Sequence, residues 1–385
     1  MAAGLSVGID VSAIPDDPRG AGRYVIELVT ALDRRDNLDL RLQTRRRDGD
    51  RWAAMAPGAE TRRVVPDDRG RRMVWEQAAG PRFVDRWGID VHHGPHYTMP
   101  EWARLPKVVT VHDLTFFDHP EWHEKVKVPI FRRAIRVAAR HAAEIICVSA
   151  PTARRLRELL DPQCDVHVVE HGIDHDAFRP PEPDEADNVA DAAALAAIGV
   201  HSSYLAFLGT LEPRKDVVTL VKAFDALAGD HPDLQLVVAG GSGWGNERFE
   251  HALVASPNRD RILRTGYLDQ GVVPALLRRA AAVVYPAIEE GFGLPALEAL
   301  ACGAPLVTTK GSVMEEIADG AANVTPPGDV AALASTLDVL LCREGIAGEQ
   351  RALGLAVAAR HTWDETAAGH ERVYAAAAER KTGGR

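Results

Sequence analysis

Glu290-Gly291-Phe292-Gly293-Leu294-Pro295, with Glu298 eight positions past the first acid, is the part of this chain best suited to hold an anion. An apolar run, Ala281 to Pro286, precedes it and reads as a buried strand; Leu294 to Cys302, rich in Ala and Leu and closed by Gly303, reads as a helix. Backbone N–H groups at a helix start lack intrahelical partners, and the helix dipole favours negative charge there. A phosphate-sized anion flanked by two carboxylates suits a sugar nucleotide, one acid for sugar hydroxyls and one for ribose. Glu298 follows Glu290 by about two helical turns, so the two acids are expected to point roughly the same way. A lone Gly-x-Gly also fits an ordinary strand–loop–helix with exposed acids, so the case rests on its company.

Arg214 and Lys215 are adjacent cations between the apolar strand Tyr204 to Gly209 and the helix Val217 to Leu227. Such a pair suits a diphosphate, the guanidinium fork bridging oxygens and the ammonium acting as a point charge; alone it is equally an ordinary basic turn. Leu234 to Ala239 ends in Gly240-Gly241-Ser242-Gly243, where backbone can approach a ligand closely. His112 and Asp113 emerge at the carboxyl end of the β-branched run Val108 to Val111, the edge where ligands bind in open α/β sheets. A His there can hydrogen-bond a sugar hydroxyl or steady nearby positive charge; a surface loop histidine is the plain alternative. His92, His93, His96, His119 and His123 fit no helical metal motif. Asp48-Gly49-Asp50 mimics the D-x-D metal motif of some sugar transferases, but no apolar strand directly precedes it and it reads as a turn. Asp174-His175-Asp176 mimics the same motif.

These residues need a scaffold of alternating strands and helices. Leu5 to Asp10, a long loop and Gly20-Ala21-Gly22 opening a helix make a Rossmann-like start. It lacks the third glycine of a dinucleotide fingerprint, so close approach of backbone to an acceptor or phosphate is expected at Gly22 rather than NAD binding. Further strands are expected at Leu38 to Leu42, Ile89 to Gly94, Lys107 to Val111, Ile145 to Ser149 and Val166 to Val169. A second series comprises Tyr204 to Gly209, Leu234 to Ala239, Ile262 to Tyr267, Ala281 to Tyr285 and Pro305 to Thr309. The alternation predicts parallel sheets with helices on both faces, one sheet per half. The proline-rich acidic stretch Arg179 to Asp187 marks the boundary. Two domains follow, 1–178 and 179–364, with a final helix over 365–385 long enough to cross back to the first.

At 385 residues the chain suits two cores, and its 46% hydrophobic and 26% charged content is that of a globular protein. No run of eighteen apolar residues or secretion signal is present, and four scattered cysteines without a C-x-x-C favour reduced thiols; cytoplasmic residence, extending to the inner face of the membrane, is the expectation. Residues 1–180 carry 28 Lys+Arg against 27 Asp+Glu, and the remainder 17 against 28, so the net charge of −10 sits in the second half. That balance argues against a nucleic-acid partner. The basic, apolar segment from Lys125 to Arg140 is expected to be a helix from Pro129, with Ile130, Phe131, Ala134, Val137 and Ala138 on one face; it suits either an ordinary packed helix or peripheral contact with an anionic membrane.

Across essentially its whole length the chain resembles retaining glycosyltransferases of the GT-B fold, family 4. The resemblance rests on Glu290 to Pro295 with Glu298, which is similar to the family's E-x7-E motif; on Gly209 to Lys215, similar to its phosphate-binding segment; on Val111-His112-Asp113, similar to its catalytic-loop histidine; and on Glu170-His171-Gly172-Ile173-Asp174 through Phe178, similar to its segment entering the interdomain hinge. It implies two Rossmann-like domains facing across a central cleft. It also implies that Arg214 and Lys215 neutralise a donor diphosphate, with the N–H groups of Gly293 and Leu294 receiving phosphate oxygens and Gly209, Gly241, Gly291 and Phe292 close by. Glu290 is then the acid at the donor sugar, Glu298 the acid at the ribose, His112 a catalytic neighbour of the sugar, and Gly22 a neighbour of phosphate or acceptor. The implied reaction retains anomeric configuration and needs neither cofactor nor D-x-D metal, which sets Asp48 and Asp174 aside. The family loop often has adjacent glycines, whereas Ala21 separates Gly20 and Gly22 here.

The segment Val111 to Glu121 resembles the mannosyl- and rhamnosyltransferase-like branch of bacterial polysaccharide assembly, which implies GDP-mannose as donor and a saccharide, glycolipid or polyprenyl-linked acceptor. A UDP- or dTDP-sugar donor with a soluble secondary-metabolite or aminocyclitol acceptor is the alternative. From other classes, a sugar-nucleotide epimerase of the same fold and a non-catalytic nucleotide-sugar-binding protein stay open.

Overall fold

The computed structural model describes residues 4–383 except 17, 19, 182–184 and 270. Asp17 of the opening loop and residues 182–184 of the expected linker therefore lie outside the described residues. The chain forms two compact units, Met1–Gly172 with Trp363–Arg385, and Ile173–Thr362. The boundaries expected from sequence, 178/179 and 364/365, thus shift. Ile173 bridges Thr362, and the turn Asp174 to Phe178 closes on itself through Phe178 N–H to the Asp174 carbonyl at 2.8 Å.

The first unit holds seven strands: β1 (Leu5–Asp10), β2 (Leu38–Arg45), β3 (Glu60–Val65), β4 (Val91–Gly94), β5 (Lys107–Val111), β6 (Glu144–Cys147) and β7 (Asp165–Val168). They lie in the order β3-β2-β1-β4-β5-β6-β7, all pairs parallel. The second holds β8 (Tyr204–Leu208), β9 (Gln235–Ala239), β10 (Ile262–Gly266), β11 (Ala282–Tyr285), β12 (Leu306–Thr309) and β13 (Ala322–Thr325), in the order β10-β9-β8-β11-β12-β13, again parallel. Central strands such as β5, β6, β11 and β12 are buried at every residue, as expected of parallel strands covered on both faces.

Both sheets reverse their order in the middle, the first between β1 and β4, the second between β8 and β11. At such a point the loops leaving two neighbouring strands run in opposite directions and open a crevice at the carboxyl ends. Arg214 and Lys215 leave β8, and Glu290 to Gly293 leave β11. In the first unit α1 (Ala21–Asp33) follows the loop after β1, and His112 follows β5 directly.

Helix α2 (Lys127–His141) starts two residues before the expected Pro129, because a proline in the first turn removes an N–H that has no intrahelical partner anyway. Its buried face centres on Ile135, Ala138 and Ala139, a rotation from the expected stripe. Helix α3 (Ala150–Leu160) is capped by Ser149, whose hydroxyl accepts from Thr152 N–H at 3.4 Å. Further along the chain come helices α4 (Glu185–Ala197), α5 (Val217–Leu227), α6 (Leu294–Ala301), α7 (Val330–Cys342) and α8 (Trp363–Gly383). Helix α8 belongs to the first unit, where Ala367, Val373, Tyr374 and Ala377 join the core of Val7, Ile9, Tyr24 and Leu28. No helix among the described residues is long and apolar enough to cross a membrane.

Candidate functional site

In the second unit, Arg214 and Lys215 occupy a short 3-10 turn, Pro213–Lys215, between β8 and α5. Asp216 turns the chain into α5 in the left-handed region, at φ 45°. The loop after β11 is tied to this turn by Ile288 N–H to the Arg214 carbonyl at 2.8 Å. Side chains then close the contact. Arg214 donates to Glu212 Oε2 at 2.7 Å, to the Glu289 carbonyl at 3.1 Å and to Glu290 Oε2 at 2.5 Å. Lys215 Nζ meets Glu290 Oε1 and donates to Tyr285 Oη at 2.5 Å; Tyr285 in turn donates to Glu290 at 3.3 Å. The two cations expected to await a diphosphate thus share one carboxylate.

Burial sets the electrostatics of this knot. Lys215 is 5% exposed, and burial followed by the neighbouring Arg214 charge pushes its ammonium well below its ordinary pKa, with Glu212 opposing. Burial also raises the Tyr285 phenol, so Tyr285 stays protonated as a hydrogen-bond donor. The Arg214 guanidinium and the Lys215 amine, both on a carboxylate whose side chain is only 9% exposed, form a site that an anion with several oxygens can enter by exchange, each oxygen replacing a bond now made by Glu290.

Helix α6 begins at Gly293, whose φ of +96° and whose missing Cβ, which would lie 2.6 Å from Met314 Cγ, leave only glycine unstrained there. Phe292 is buried behind it. As expected, Glu290 precedes the helix and Glu298 lies on it, buried at 1% exposure; the expectation that helical spacing would align the two acids does not apply, because Glu290 sits in the loop. Chain geometry in the intervening loop, not helical periodicity, places Glu290 against Arg214. The Gly-rich segment after β9 is laced to the one after β8, through Gly209 N–H to Ala239 O at 2.9 Å and Leu211 N–H to Gly241 O at 3.0 Å. A Cβ at Gly240 (φ +138°) would sit 1.9 Å from the Gly209 carbonyl.

In the first unit His112 is not a surface histidine. It is buried, and its Nε2–H donates to the Pro95 carbonyl at 2.8 Å, which leaves Nδ1 as an acceptor. Burial lowers its pKa, against the Pro95 bond and the Asp113 charge, so the ring is neutral near pH 7. It suits accepting a hydrogen bond from a hydroxyl rather than supplying positive charge. Gly22 lies in the first turn of α1, buried, its Cα facing Pro18.

Around His112 stands a network that sequence reasoning missed. Tyr374 Oη donates to His93 Nδ1 (2.8 Å), His93 Nε2–H to Thr110 Oγ1 (2.8 Å), and Thr110 to Tyr24 Oη (3.1 Å). Tyr24 donates to His370 Nε2 (2.7 Å), His370 Nδ1–H to Thr366 O (2.8 Å), and Thr366 Oγ1 to Glu170 O (2.8 Å). The carbonyl at Thr366 can only accept, and that fixes every donor along the series. Tyr24 also packs edge-on against His112, ring centroids 5.2 Å apart. These positions are far apart in sequence, and no local pattern joins them. Tyr285 reads as core in the sequence, although a polar tip on the last residue of a buried strand was a usable signal.

Both D-x-D mimics are spent on structure. Asp48 is buried and paired with Arg45; Asp48 ends a 3-10 turn that runs into the helix Gly49–Met55, rather than forming a simple turn. Asp174 Oδ1 accepts from Asp176 N–H at 3.1 Å and Ala177 N–H at 3.2 Å. On α2, Arg132 donates to the Phe116 and Phe117 carbonyls, Arg133 pairs with Glu101, and Arg136 lies over the Phe117 ring at 5.2 Å.

Two doubly wound parallel units, one with a cationic turn and a glycine-led helix start at its switch point, define a two-domain α/β protein of the nucleotide-sugar-handling type. The chain belongs to the family 4 glycosyltransferases: the model described as Glycosyltransferase Family 4 matches residues 18–177, and that described as Glycosyl transferases group 1 matches residues 197–353. It is 29% identical over 276 residues to the O-antigen chain mannosyltransferase B of Escherichia coli, covering 71% of each chain. It is 32% identical over 310 residues to a D-inositol 3-phosphate glycosyltransferase of Xylanimonas cellulosilytica, covering 79% of this chain and 70% of that one. In fold it matches the solved sucrose-phosphate synthase of Thermosynechococcus elongatus with a TM-score of 0.77 at 20% identity, over 96% of this chain and 98% of that one.

Proposed function

We propose that the chain is a retaining hexosyltransferase moving a hexose, mannose from GDP-mannose first among the candidates, from a nucleotide diphosphate to a hydroxyl of a saccharide, glycolipid or polyprenyl-linked acceptor. The observation that carries this proposal is the knot of Arg214, Lys215, Tyr285 and Glu290 at the switch point of the second sheet, beside the helix start at Gly293. The likeness to the mannosyltransferase supports mannose as the sugar.

In this proposal diphosphate oxygens replace Glu290 at Arg214, while the N–H groups of Gly293 and Leu294 take others and Gly209, Gly241, Gly291 and Phe292 shape the approach. Glu290, released, accepts from donor-sugar hydroxyls, and Glu298 accepts from the ribose. As the bond from sugar to phosphate breaks, negative charge grows on the departing diphosphate, and Arg214 and Lys215 stabilise it. A departing phosphate oxygen takes the acceptor hydroxyl's proton on the face being vacated, so configuration is retained. His112 Nδ1 accepts from a sugar hydroxyl in the same step, and the backbone at Gly22 borders phosphate or acceptor. Positive charge from the two side chains and the helix start does the work of a divalent metal, so turnover should persist in a chelator. Peripheral contact of α2 with anionic membrane completes the proposal for a lipid-linked acceptor and is checked by flotation with anionic vesicles.

Incubation with GDP-mannose and a panel of UDP- and dTDP-sugars, with the product's anomeric configuration read by NMR, tests it. Retained transfer from GDP-mannose supports the proposal; an inverted product, or no turnover and no stabilisation by any donor, sinks it. The likeness to the D-inositol 3-phosphate glycosyltransferase favours a second version, a UDP- or dTDP-sugar with a soluble cyclitol acceptor, and the same panel separates the two.

A further inference from the structure

His231, Asp338 and Cys342 place a ring nitrogen, a carboxylate oxygen and a sulfur within 4.8 Å of one another. Asp338 and Cys342 are four residues apart in the last turns of α7 and share a face. His231 comes from the connection between α5 and β9. Its Nε2 lies 2.9 Å from Asp338 Oδ1, and Cys342 Sγ lies 3.7 Å from the same oxygen. Ligand atoms held 2.0–2.3 Å from a tetrahedral zinc ion sit roughly 3.3–3.8 Å from each other. Small side-chain adjustments therefore bring all three atoms into that arrangement with the backbone as it stands.

We propose that His231, Asp338 and Cys342 form a zinc site, with water in the fourth position. The donor set selects the metal: oxygen alone would suit magnesium or calcium, whereas imidazole with thiolate suits zinc. On binding, the Cys342 thiol releases its proton, and the His231 ring carries its proton on Nδ1 so that the Nε2 lone pair faces the metal. The other thiols do not compete. Cys147 and Cys302 are buried and Cys164 is half-buried, whereas Cys342 is exposed. The metal would tie the end of α7 to the segment entering β9, at the amino edge of the second sheet. The donor turn of Arg214 lies at the carboxyl edge, so metal should stiffen the unit without altering donor binding.

Cobalt(II) is the probe. Chelator-treated full-length protein titrated with cobalt is expected to develop a thiolate-to-cobalt charge-transfer band with one equivalent, and zinc should bleach it. Cys342→Ser should abolish the band, and His231→Gln and Asp338→Asn should weaken zinc binding at least about tenfold. Zinc should raise the melting midpoint of the wild-type protein and not of C342S, whose exposed position leaves folding intact. No charge-transfer band in the wild type, a band that C342S retains, or an equal zinc effect on both midpoints would overturn the site.

Discussion

Arg214 holds three oxygens at once, those of Glu212, the Glu289 carbonyl and Glu290, while Lys215 divides Glu290 with Tyr285. Removing the guanidinium deletes charge where the leaving group gathers it. Arg214→Ala is therefore expected to lower kcat/KM by about 10²–10³, a loss of ~3–4 kcal/mol, with the melting midpoint nearly unchanged; steady-state kinetics decide, and unimpaired turnover would remove Arg214 from the mechanism. His112→Ala is expected to cost roughly ten- to a hundredfold in turnover, the worth of one strong hydrogen bond in a dry site. Because burial lowers the His112 pKa, any limb of the pH–rate profile assignable to it should lie below pH 6.5; a limb at or above pH 6.5 that vanishes in the variant would contradict that. At this scale the sequence was legible for Arg214, Lys215, Glu290 and Gly293, whose types and neighbours speak of chemistry. It was silent on Tyr285, which closes an apolar run and looks like core, and on Glu290's present attachment, since periodicity carries no information across a loop.

Short parallel strands announce themselves as apolar runs between glycines and prolines, and β5, β8 and β11 fall where those runs predict. The edge strands β3 and β13 were not legible: only one residue of each is fully buried, and Glu60-Thr61-Arg62-Arg63 and Ala322-Asn323-Val324-Thr325 carry little apolar signal. At the element scale the test is the start of α6. Gly293→Ala combines a positive φ with a Cβ that meets Met314 at 2.6 Å, so ~1–3 kcal/mol of stability should be lost along with donor affinity. Gly229→Ala, where nothing lies within 4 Å, is the control and should be near neutral; denaturant titration measures both.

Over the whole molecule, the first unit buries an unusual group of neutral histidines. His92 and His96 are held down to about 3 and His370 to about 4, by burial above all, and His93 and His171 lie well below 6.5. The unfolded chain takes up protons near pH 6.5 that the folded unit refuses, so stability is full above 6.5 and falls as pH drops toward these folded values. Each fully buried ring costs ~2 kcal/mol between pH 7 and 5. Glu76, raised to about 7 by burial, and Asp10, also raised, work in the opposite sense and offset part of it. The melting midpoint should therefore drop steeply between pH 6.5 and 5, above the range where ordinary carboxylates titrate; a midpoint flat to pH 5 would contradict the buried network. The central claim, that a nucleotide diphosphate is held at Arg214 and Lys215, is tested most directly by calorimetric titration of GDP and UDP, each against its monophosphate, into wild type and R214A. A diphosphate should bind more tightly than its monophosphate, and R214A should weaken the diphosphate at least about tenfold while barely moving the monophosphate. Equal diphosphate affinity in the two proteins would contradict it.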